Sequence, residues 1–309
     1  MTRILITGGA GMVGRALIDA LPRGDIIATD LAATGLPDDV PFQRMDVTGD
    51  DPGTIIGQER PDVVVHLASI VTPPAGMTRA QAFTVDVTGT RNVLAACVKH
   101  GVKRLVVTSS GAAYGYHADN PVLIDENTPC RSNPEFAYAD HKRQVEEMLA
   151  KARHTDPQLE QVVLRVATVL GAGTDNQITA LFRRKRLLAI RGSDSPFVFI
   201  WTTDLARIVK RAATDGPAGV FNVAGDGWLS VDELARALGK PVLRLPAWGL
   251  KVALAVARPL GLSQYGPEQV RFLQYRPVLA NDRLKRDFGY TPELTSADVF
   301  DLWRRDAGL

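Results

Sequence analysis

Two side chains four residues apart carry the first chemical signal in this sequence. Tyr138 and Lys142 stand at positions i and i+4, so a helix through them places both on one face. A tyrosine phenol titrates near ~10 and is a poor base at neutral pH. A lysine cation beside it favours the phenolate, which suits proton transfer to or from a substrate oxygen. The pair therefore predicts acid–base chemistry at a hydroxyl or carbonyl group.

A serine hydroxyl is expected to reach the same oxygen. The segment 104–110 is apolar in its middle and ends in Thr108, Ser109 and Ser110, the pattern of a buried strand whose carboxyl end carries hydroxyl groups. Tyrosine and lysine at this spacing also occur on many exposed helices that have no function. The prediction therefore depends on the order of several motifs along the chain, of which the tyrosine and lysine are the last.

The first of these motifs is a glycine-rich turn between an apolar stretch, residues 3–6, and an amphipathic helix. Gly8 permits a tight turn, and Gly11 lets a pyrophosphate approach the free N–H groups of Met12 and Val13 at the helix start. Gly14 lets the helix pack closely on the strand. A glycine turn alone is weak evidence, but this one has a strand before it and a helix after it. The turn predicts a dinucleotide-binding site.

An acidic residue then indicates which dinucleotide is bound. Asp30 follows Gly14 by 16 residues, at the end of the predicted second strand. That spacing is close to the roughly 20 residues expected for a carboxylate that holds the adenosine ribose hydroxyls. No lysine or arginine occupies the next three positions, so a 2′-phosphate would face an unneutralised carboxylate. The sequence predicts NAD as the cofactor, and Arg15, the one nearby cation, keeps NADP open as the alternative.

Composition and charge exclude several classes of function. The 309 residues are 45% hydrophobic and 23% charged, as in an ordinary globular protein. A net charge of +2 gives no field that would attract nucleic acid or an anionic membrane. Cys97 and Cys130 are the two cysteines, too few for a disulfide framework or a metal cluster. We therefore expect a small-molecule substrate, no nucleic-acid partner and no metal.

Two stretches of unusual composition have ordinary interpretations. The apolar segment Leu245–Leu262 is interrupted by Lys251, Arg258 and two prolines, so it is too broken to span a bilayer. The basic run Arg183–Arg186 is interpreted as a solvated helix face, with a phosphate-binding edge as the alternative. The N-terminus leads directly into a strand without a signal peptide. We expect a cytoplasmic protein with no membrane partner.

The first part of the chain alternates short apolar runs with helical stretches, which is the pattern of a Rossmann-type, doubly wound parallel sheet in an α/β protein. We expect residues 1–170 to form the dinucleotide-binding domain. Its predicted strands are Ile4–Thr7, Ile26–Asp30, Phe42–Asp46, Val63–Ala68, Leu105–Ser109 and Gln161–Val169, and its two long predicted helices are Arg79–His100 and Glu135–Arg153.

After Gly171 the pattern becomes fragmentary. Residues 171–309 are expected to form a smaller mixed α/β lobe that is interleaved with the first domain as one unit and binds the substrate where the carboxyl ends of the strands meet. Its predicted helices are Gln177–Leu188, Thr203–Ala213, Ser230–Leu238, Trp248–Ala257 and Ser296–Arg305, and its predicted strands are Phe197–Trp201, Val220–Val223 and Val242–Leu245.

The ordered motifs resemble those of the extended short-chain dehydrogenase/reductases, the NAD-dependent epimerase/dehydratase family. The resemblance is dense over about the first 170 residues and holds only in outline beyond them. The segments that carry it are Thr7–Gly14, Asp30, Asp46-Val47, His66–Ser69, Gly89–Asn92, Thr108–Gly115 and Tyr138–Lys142.

The resemblance implies a role for each matching residue. Ser110 and Tyr138 hold the reacting oxygen, Lys142 also binds the nicotinamide ribose, and Asp46 with Val47 flanks the adenine. The other expected cofactor contacts are Gly8, Gly11, Met12, Val13, Gly14, Asp30, Leu67, Ala68, Ser69 and Thr108. The expected substrate contacts are Gly111, Ala112, Tyr114 and Thr168, with packing as an equal alternative for Tyr114.

Several positions depart from the family pattern and narrow the function. The nucleotide-sugar dehydratases of this family carry an Asp-Glu pair where this chain has Gly111 and Ala112, so it lacks their acid and base for water elimination. Thr168 replaces an asparagine that helps hold the substrate diphosphate, and Phe197 replaces a phosphate-binding arginine. These departures weaken the nucleotide-sugar hypothesis without removing it.

Four other polar residues receive simpler interpretations. Arg191 is an alternative source of phosphate contacts. Asp86 stands where the family has asparagine, and the sequence offers no reason for the change. His66, at a strand end, is expected to be structural, and His141 is expected to be solvated on the side of its helix away from Tyr138.

We therefore expect an NAD-dependent oxidoreductase or epimerase that acts at a secondary alcohol. Both reactions begin when Tyr138 takes the hydroxyl proton and hydride passes to NAD; they differ in whether the keto intermediate leaves or is reduced again. The leading form is an epimerase-like enzyme of sugars or sugar nucleotides. The alternative is a simple dehydrogenase of a uronate, aldonate, steroid or other non-nucleotide alcohol. A non-catalytic NAD-binding sensor is a third hypothesis, which the retention of Tyr138 and Lys142 disfavours.

The two long helices also predict assembly. Both carry apolar residues beyond the stripe needed to cover a sheet, such as Ala95 and Cys97 on the first and Val145 and Met148 on the second. In the family that the chain resembles, the equivalent helices of two subunits form a four-helix bundle, an isologous two-fold contact. We expect a homodimer, with a monomer whose core absorbs these residues as the alternative.

Overall fold

In the computed structural model, seven parallel strands form a central sheet with helices on both faces; the structure describes residues 2–74, 76–263 and 266–309. The strands are β1 (Ile4–Thr7), β2 (Ile26–Asp30), β3 (Phe42–Arg44), β4 (Val63–His66), β5 (Arg104–Ser110), β6 (Glu160–Val166), β7 (Thr168–Leu170), β8 (Leu187–Ile190), β9 (Phe199–Trp201), β10 (Gly219–Val223) and β11 (Val242–Leu245). The helices are α1 (Met12–Ala20), α2 (Asp51–Glu59), α3 (Arg79–Phe83), α4 (Gly89–His100), α5 (Ala137–Thr155), α6 (Gln177–Phe182), α7 (Thr202–Ala213), α8 (Val231–Ala237), α9 (Ala247–Ala257), α10 (Gln269–Gln274), α11 (Asp282–Arg286) and α12 (Ser296–Asp306).

The order of strands in the central sheet confirms the predicted Rossmann-type fold. It is β10-β6-β5-β4-β1-β2-β3, so the chain winds outwards from β1 on one side and then from β4 on the other. Thr7, the last residue of β1, pairs with Thr29 of β2 and with His66 of β4. The reversal between β1 and β4 is the crevice where such sheets bind ligands.

The central sheet is buried on both faces, and this explains why its strands are continuous apolar runs. Ile4 and Ile6 belong to one core, which contains residues of α1 and α7, whereas Leu5 belongs to the core formed with α2, α4 and α5. Because successive side chains alternate across a strand, each strand supplies both cores. The sheet is therefore a rigid platform for the loops at its carboxyl edge.

The two parts of the chain that meet at residue 170 are interleaved in the structure. Strand β10 pairs with β6 along its whole length and completes the central sheet, and α7 packs against α1 on one face of it. Both elements follow residue 170, so the second half of the chain contributes to the first layer of structure. The smaller lobe has its own core, which includes Phe182, Phe199 and Trp303.

Two predicted elements of the second half are wrong at one end. The strand predicted over Gln161–Val169 ends at Val166, and the next strand, β7, pairs with β9 in a separate two-stranded sheet. The helix predicted over Gln177–Leu188 ends at Phe182, and Leu187 begins β8, which pairs with β11. The run Arg183–Arg186 lies between them as an exposed turn rather than a helix face, because neighbouring like charges disfavour a helix and the apolar residues after them are buried by strand pairing.

The apolar segment predicted to be too broken for a span forms α9. Leu250 and Leu254 pack against Val270 and Leu273, while Trp248, on the other side of the helix, is 73% exposed. Among the described residues, no helix has the length and apolar character needed to cross a membrane.

Candidate active site

The glycine turn joins β1 to α1 with no room for side chains. Gly8 has φ +71°, and a Cβ on it would lie 2.7 Å from the backbone nitrogen of Ala68. A Cβ on Gly14 would overlap the carbonyl oxygens of Gly8 and Gly9, so only glycine lets the helix approach the strand. Gly11 precedes α1 without a side-chain cap, which leaves the first-turn N–H groups available to an anion. This backbone fits a pyrophosphate.

Asp30 ends β2 beside the glycine turn. Its Oδ2 accepts a hydrogen bond from the N–H of Ala10 (3.1 Å) and its Oδ1 one from the N–H of Leu31 (2.7 Å). The guanidinium of Arg15 turns instead to the carbonyl oxygen of Ala10 (2.7 Å). The carboxylate is thus fixed beside the turn, which fits the ribose hydroxyls of NAD and disfavours a 2′-phosphate.

The loops after β3 and β4 lie at the same edge of the sheet. Asp46 accepts hydrogen bonds from the hydroxyl (2.7 Å) and N–H (2.9 Å) of Thr48, and these bonds hold its pKa below the usual range. Val47, which follows it, is buried. Leu67, Ala68 and Ser69 run beside the glycine turn, since the N–H of Leu67 donates to the carbonyl of the last β1 residue (3.0 Å). The structure thus brings the predicted adenine and ribose loops together.

Helix α5 presents Lys142 to the carboxyl end of β5. Its Nζ donates to the carbonyl oxygen of Thr108 (2.8 Å) and lies 5.6 Å from the centre of the Tyr138 ring. The side chain is 6% exposed, and this burial lowers the pKa of Lys142 although the charges of Asp86 and Glu146 oppose the shift. The lysine is thus a buried cation positioned beside the tyrosine.

Tyr138 and Ser110 meet at the same point. Burial raises the pKa of the Tyr138 phenol, while a hydrogen bond with Ser110 favours the phenolate. Ser110, the last residue of β5, also accepts a hydrogen bond from the N–H of Ala112 (3.2 Å), which fixes its side chain. The three predicted catalytic residues therefore converge at one end of the sheet, with the phenol protonated in the free protein.

Asp86 connects the cofactor loop to α5. It lies on a π-helical turn, Thr84–Thr88, that divides the helix predicted over Arg79–His100. Its Oδ1 accepts hydrogen bonds from the hydroxyl of Ser69 (2.9 Å) and the N–H of Ile70 (2.8 Å), and its Oδ2 lies 2.9 Å from Nδ1 of His141.

The prediction that His141 is solvated is therefore wrong. Its side chain is 1% exposed, packed edge-on against Phe83 and bonded to Asp86. An imidazole with a carboxylate partner can be buried at a position where a polar residue would otherwise face solvent. The partner lies 55 residues away in sequence, which is why the helical pattern alone misplaced it.

His66 has the structural position expected of it. Its Nδ1 lies 2.7 Å from the hydroxyl of Thr7 and its Nε2 3.0 Å from that of Thr90, so the ring ties β4 to β1 and α4. Burial, assisted by the charge of Lys142, lowers the pKa of His66 to about 3. The imidazole is neutral at physiological pH.

The residues predicted to contact substrate divide into two groups. Gly111 and Ala112 begin a 3₁₀ turn directly after Ser110, and a Cβ on Gly111 would lie 3.0 Å from a methyl group of Leu279. Thr168 is half-buried on β7. A side chain at position 111 would require Leu279 to shift, and neither position 111 nor position 112 carries an acidic group.

Tyr114 lies in the interior, in the packing role that the sequence left open as the alternative to a substrate contact. It is fully buried, and its hydroxyl donates to the side-chain oxygen of Asn222 (2.8 Å) and accepts from Arg165 (2.8 Å). The 3₁₀ turn after Ser110 directs the ring into the interior, where the guanidinium of Arg165 stacks on it at 4.9 Å. Its role is packing.

Arg276 is a candidate site residue that the sequence did not reveal. Its guanidinium carbon lies 3.7 Å from the centre of the Phe197 ring and 5.2 Å from that of Phe272. Nε and Nη1 are buried and have no hydrogen-bond partner within the described residues. Burial lowers its pKa to about 9.

The guanidinium of Arg276 and the phenol of Tyr138 share a neighbour. Tyr116 lies within electrostatic reach of both Arg276 and Tyr138 and packs edge-on against Phe272 at 5.3 Å. The smaller lobe thus brings a cation to the side of the sheet that holds the tyrosine. Arg276 is a single arginine after α10, outside every motif, so only its burial identifies it.

Comparisons with known proteins agree with this geometry. A model of the NAD dependent epimerase/dehydratase family matches residues 4–224. The chain is 33% identical over 218 residues to the decarboxylating sterol-4-alpha-carboxylate 3-dehydrogenase of Saccharomyces cerevisiae, covering 64% of this chain and 60% of that protein.

Two solved structures share the whole fold. The Bordetella bronchiseptica enzyme WbmG in complex with NAD and UDP has a TM-score of 0.74 and 25% identity, covering 99% of this chain and 94% of that one. The Thermus thermophilus UDP-glucose 4-epimerase in complex with NAD has a TM-score of 0.73 and 25% identity, covering 99% and 98%. With a family match over more than half of its length, the chain belongs to the NAD dependent epimerase/dehydratase family and is an NAD-dependent enzyme of the extended short-chain dehydrogenase/reductase type.

Proposed function

We propose that this enzyme oxidises a secondary alcohol at Tyr138 and holds an anionic group of the same substrate at Arg276. The observation that carries the proposal is the guanidinium of Arg276, whose Nε and Nη1 are buried and have no partner within the described residues, and which shares the neighbour Tyr116 with Tyr138. A buried cation without a partner costs several kcal/mol, roughly, unless an anion compensates it. A phosphate or carboxylate binds such a guanidinium through charge-assisted hydrogen bonds.

The chain's own residues carry the proton chemistry. Ser110 and Tyr138 hold the substrate oxygen, and the phenolate of Tyr138 takes the hydroxyl proton as the carbonyl forms. The cation of Lys142 stabilises that phenolate and aligns the nicotinamide ribose. Bound NAD supplies the hydride acceptor, which the protein itself lacks. We assign its binding to Gly8, Gly11, Met12, Val13, Gly14, Asp30, Asp46, Val47, Leu67, Ala68, Ser69 and Thr108.

The leading form of the reaction is epimerisation of a sugar or sugar nucleotide. Two structural relatives support it by their printed names, a UDP-glucose 4-epimerase and an enzyme in complex with NAD and UDP. The diphosphate of such a substrate would complete the bonds of Arg276, which compensates for Phe197 at the position of the family's phosphate-binding arginine. Dehydration is disfavoured because Gly111 and Ala112 stand where the dehydratases carry their acid and base.

A second form is dehydrogenation of a carboxylated, largely apolar alcohol. The yeast relative is named for a sterol-4-alpha-carboxylate, which also offers one anion to a single cation. Phe197 and Phe272 surround Arg276 with aromatic faces that suit an apolar substrate. The carboxylate would then occupy the position that the diphosphate takes in the first form.

A substrate panel distinguishes these forms. Sugar nucleotides, uronates, aldonates and sterol carboxylates would be incubated with NAD while NADH absorbance is followed and products are separated by chromatography. An epimer without net NADH indicates the first form, and stoichiometric NADH indicates the second. Activity only on uncharged alcohols would contradict the role of Arg276, and activity retained in Tyr138→Phe would contradict the site.

We also propose that the protein is a homodimer. Cys97 and Val145, predicted to lie beyond the stripe that covers the sheet, are buried in the core of one chain, but a groove between α4 and α5 is lined by Leu94, Val98 and Met148 together with Lys99 and Lys151. An isologous contact between two copies would cover it as a four-helix bundle. Light scattering should give a dimer mass for the wild type and a monomer mass for Met148→Glu. A wild-type monomer at micromolar concentration, or a dimer of the variant, would refute the proposal.

A further inference from the structure

A cluster of buried ionisable side chains lies beneath the catalytic tyrosine. Asp86, His141 and Lys142 are 2%, 1% and 6% exposed, and all three approach the same end of β5 or the loop beside it. The family pattern has a neutral amide at position 86, whereas this chain has a carboxylate. The cluster therefore contains a negative charge that needs an explanation.

The hydrogen bonds of Asp86 fix it as an anion. Ser69 and Ile70 donate to one carboxylate oxygen, and Nδ1 of His141 lies 2.9 Å from the other. Burial disfavours the charge, but the bond from His141, the charge of Lys142 and the two donors on the loop outweigh it and hold the pKa of Asp86 below its usual range. A carboxylate that accepts three hydrogen bonds and lies near a lysine cation is stabilised in its charged form.

His141 serves this carboxylate as a donor. Its Nε2 is buried and has no hydrogen-bond partner in the described part of the chain, so Nδ1 is the nitrogen that can bond. We assign the proton to Nδ1 from this contact. The edge of the ring packs against Phe83, with 5.5 Å between centroids, which fixes its orientation.

The surrounding charges leave Asp86 as the counter-ion of Lys142. The carboxylate of Asp86 faces Tyr138, His141 and Lys142, which lie on α5, and the neutral His66, which lies on β4. Glu146 also faces Lys142, but its carboxylate is bound by the guanidinium of a buried arginine of β6, with 2.9 Å between Oε1 and Nε.

We propose that Asp86, oriented by His141, is the buried counter-ion of Lys142 and sets the pH at which the Tyr138–Lys142 pair gives up its proton. With the carboxylate present, loss of that proton leaves the group with a net charge of −1. With an amide at position 86 the same loss leaves it neutral. In a poorly solvated site the second change is easier, so the carboxylate keeps the proton on the pair up to a higher pH.

The consequence for the reaction rests on the proposed function, in which Tyr138 is the base. The pair releases its proton only when another positive charge arrives, and the nicotinamide ring of oxidised NAD supplies one. Asp86 would thus keep the free enzyme protonated and couple deprotonation to cofactor binding. Ser69, which bonds Asp86, lies on the loop assigned to the cofactor.

The test is Asp86→Asn, which preserves the size and the acceptor oxygen of the side chain. Carbon-13 labels at tyrosine Cζ and lysine Cε report the protonation of Tyr138 and Lys142 in the cofactor-free protein, with signals assigned by their loss in Tyr138→Phe and Lys142→Met. We expect the first proton to leave the pair at least about one pH unit lower in Asp86→Asn, whichever residue gives it up. The same midpoint in both proteins, or a higher one in the variant, overturns the proposal.

Two further variants exclude a general charge effect or a purely structural role. Asp140→Asn is the matched control, because Asp140 lies on the same helix but pairs with Arg79 and Arg143 (both 3.0 Å); its midpoint should equal that of the wild type. His141→Asn keeps a donor near Nδ1 and should retain the wild-type midpoint, whereas His141→Leu should shift it. Equal shifts in Asp140→Asn and Asp86→Asn would overturn the assignment.

The labels distinguish the two hypotheses because they require neither substrate nor NAD. If the enzyme proves inactive on alcohols and the midpoint still shifts, the proposed function fails and the counter-ion assignment stands. If the enzyme is active and the midpoint does not shift, only the assignment fails. Melting curves of Asp86→Asn and His141→Leu confirm that each titration is made on folded protein.

Discussion

The polar groups around Asp86 and Lys142 (the paired region) and the guanidinium of Arg276 (the unpaired region) differ in how completely their charges are paired. Beneath Tyr138, the carboxylate of Asp86 has three hydrogen-bond donors and Lys142 has both an acceptor and a counter-ion. In the smaller lobe, Arg276 lies on aromatic rings with two nitrogens unpartnered in the described part of the chain. Polar groups whose hydrogen bonds are satisfied within the protein position the neighbouring side chains. An unsatisfied buried cation instead indicates a binding site for an anion.

The largest expected effect comes from removing the hydroxyl of Tyr138, whose proton is transferred in the proposed reaction. Tyr138→Phe should lower kcat by about 10³-fold, within the range of general acid–base catalysis, and leave the Kd for NAD nearly unchanged. Lys142→Ala should impair both quantities, because the lysine serves the tyrosine and the ribose. Calorimetry with NAD and steady-state rates on a confirmed substrate measure the two effects. A wild-type rate in Tyr138→Phe would show that the paired region is not catalytic.

Arg276→Met tests the unpaired guanidinium of the smaller lobe. It should raise KM for an anionic substrate by about 100-fold, the loss of one or two charge-assisted hydrogen bonds, with a smaller change in kcat. The same variant should raise the melting temperature of the free protein, because it removes an unpaired buried charge and keeps the side chain's volume. Arg165→Met is the matched control: its guanidinium is fully paired with Glu146, so the melting temperature should fall. A lower melting temperature in Arg276→Met would mean that its guanidinium is satisfied by the fold.

His66, which is buried near Lys142 and Asp86, predicts how the stability of the protein depends on pH. Folded His66 stays neutral down to about pH 3, whereas unfolded histidine takes a proton near 6.5. Between these values the unfolded state binds more protons, so the free energy of unfolding falls as pH falls, by at most about 1.4 kcal/mol per pH unit. Denaturant midpoints between pH 7 and the acid limit measure the slope. His66→Asn should flatten it, whereas the exposed His154→Asn should not; equal slopes in wild type and His66→Asn would contradict the prediction.

The smallest expected effect is a change in the preference for NAD over NADP. Asp30→Ala should reduce the preference for NAD over NADP by about tenfold or less, because the carboxylate both binds ribose hydroxyls and repels a 2′-phosphate. Calorimetric titration with both dinucleotides measures the preference. Arg15→Ala is the control, since this side chain donates to a backbone carbonyl and does not neutralise Asp30. Tighter binding of NADP by the wild type would reverse the assignment.

Local sequence predicted the parts of the site that depend on neighbours along the chain. The glycine turn, Asp30 at the end of its strand and the i, i+4 pair on α5 each follow from the periodicity and stereochemistry of a few residues. The sheet followed as well, because buried parallel strands require continuous apolar runs. Errors arose at element ends such as Phe182, where strand pairing with a distant segment decided the outcome.

The sequence by itself determined the nucleotide-binding fold and the family and placed Tyr138 and Lys142 on one helix face, because short-range patterns and their order along the chain specify these features. Only the tertiary structure decided which polar groups meet across long separations. Asp86 contacts His141 over 55 residues, and Arg276 reaches the side of Tyr138 from the opposite end of the chain. A helical pattern predicts which face of the helix a side chain occupies. Whether that face contacts water, a carboxylate or an aromatic ring depends on tertiary packing. These contacts determine the ionisation state of each buried group.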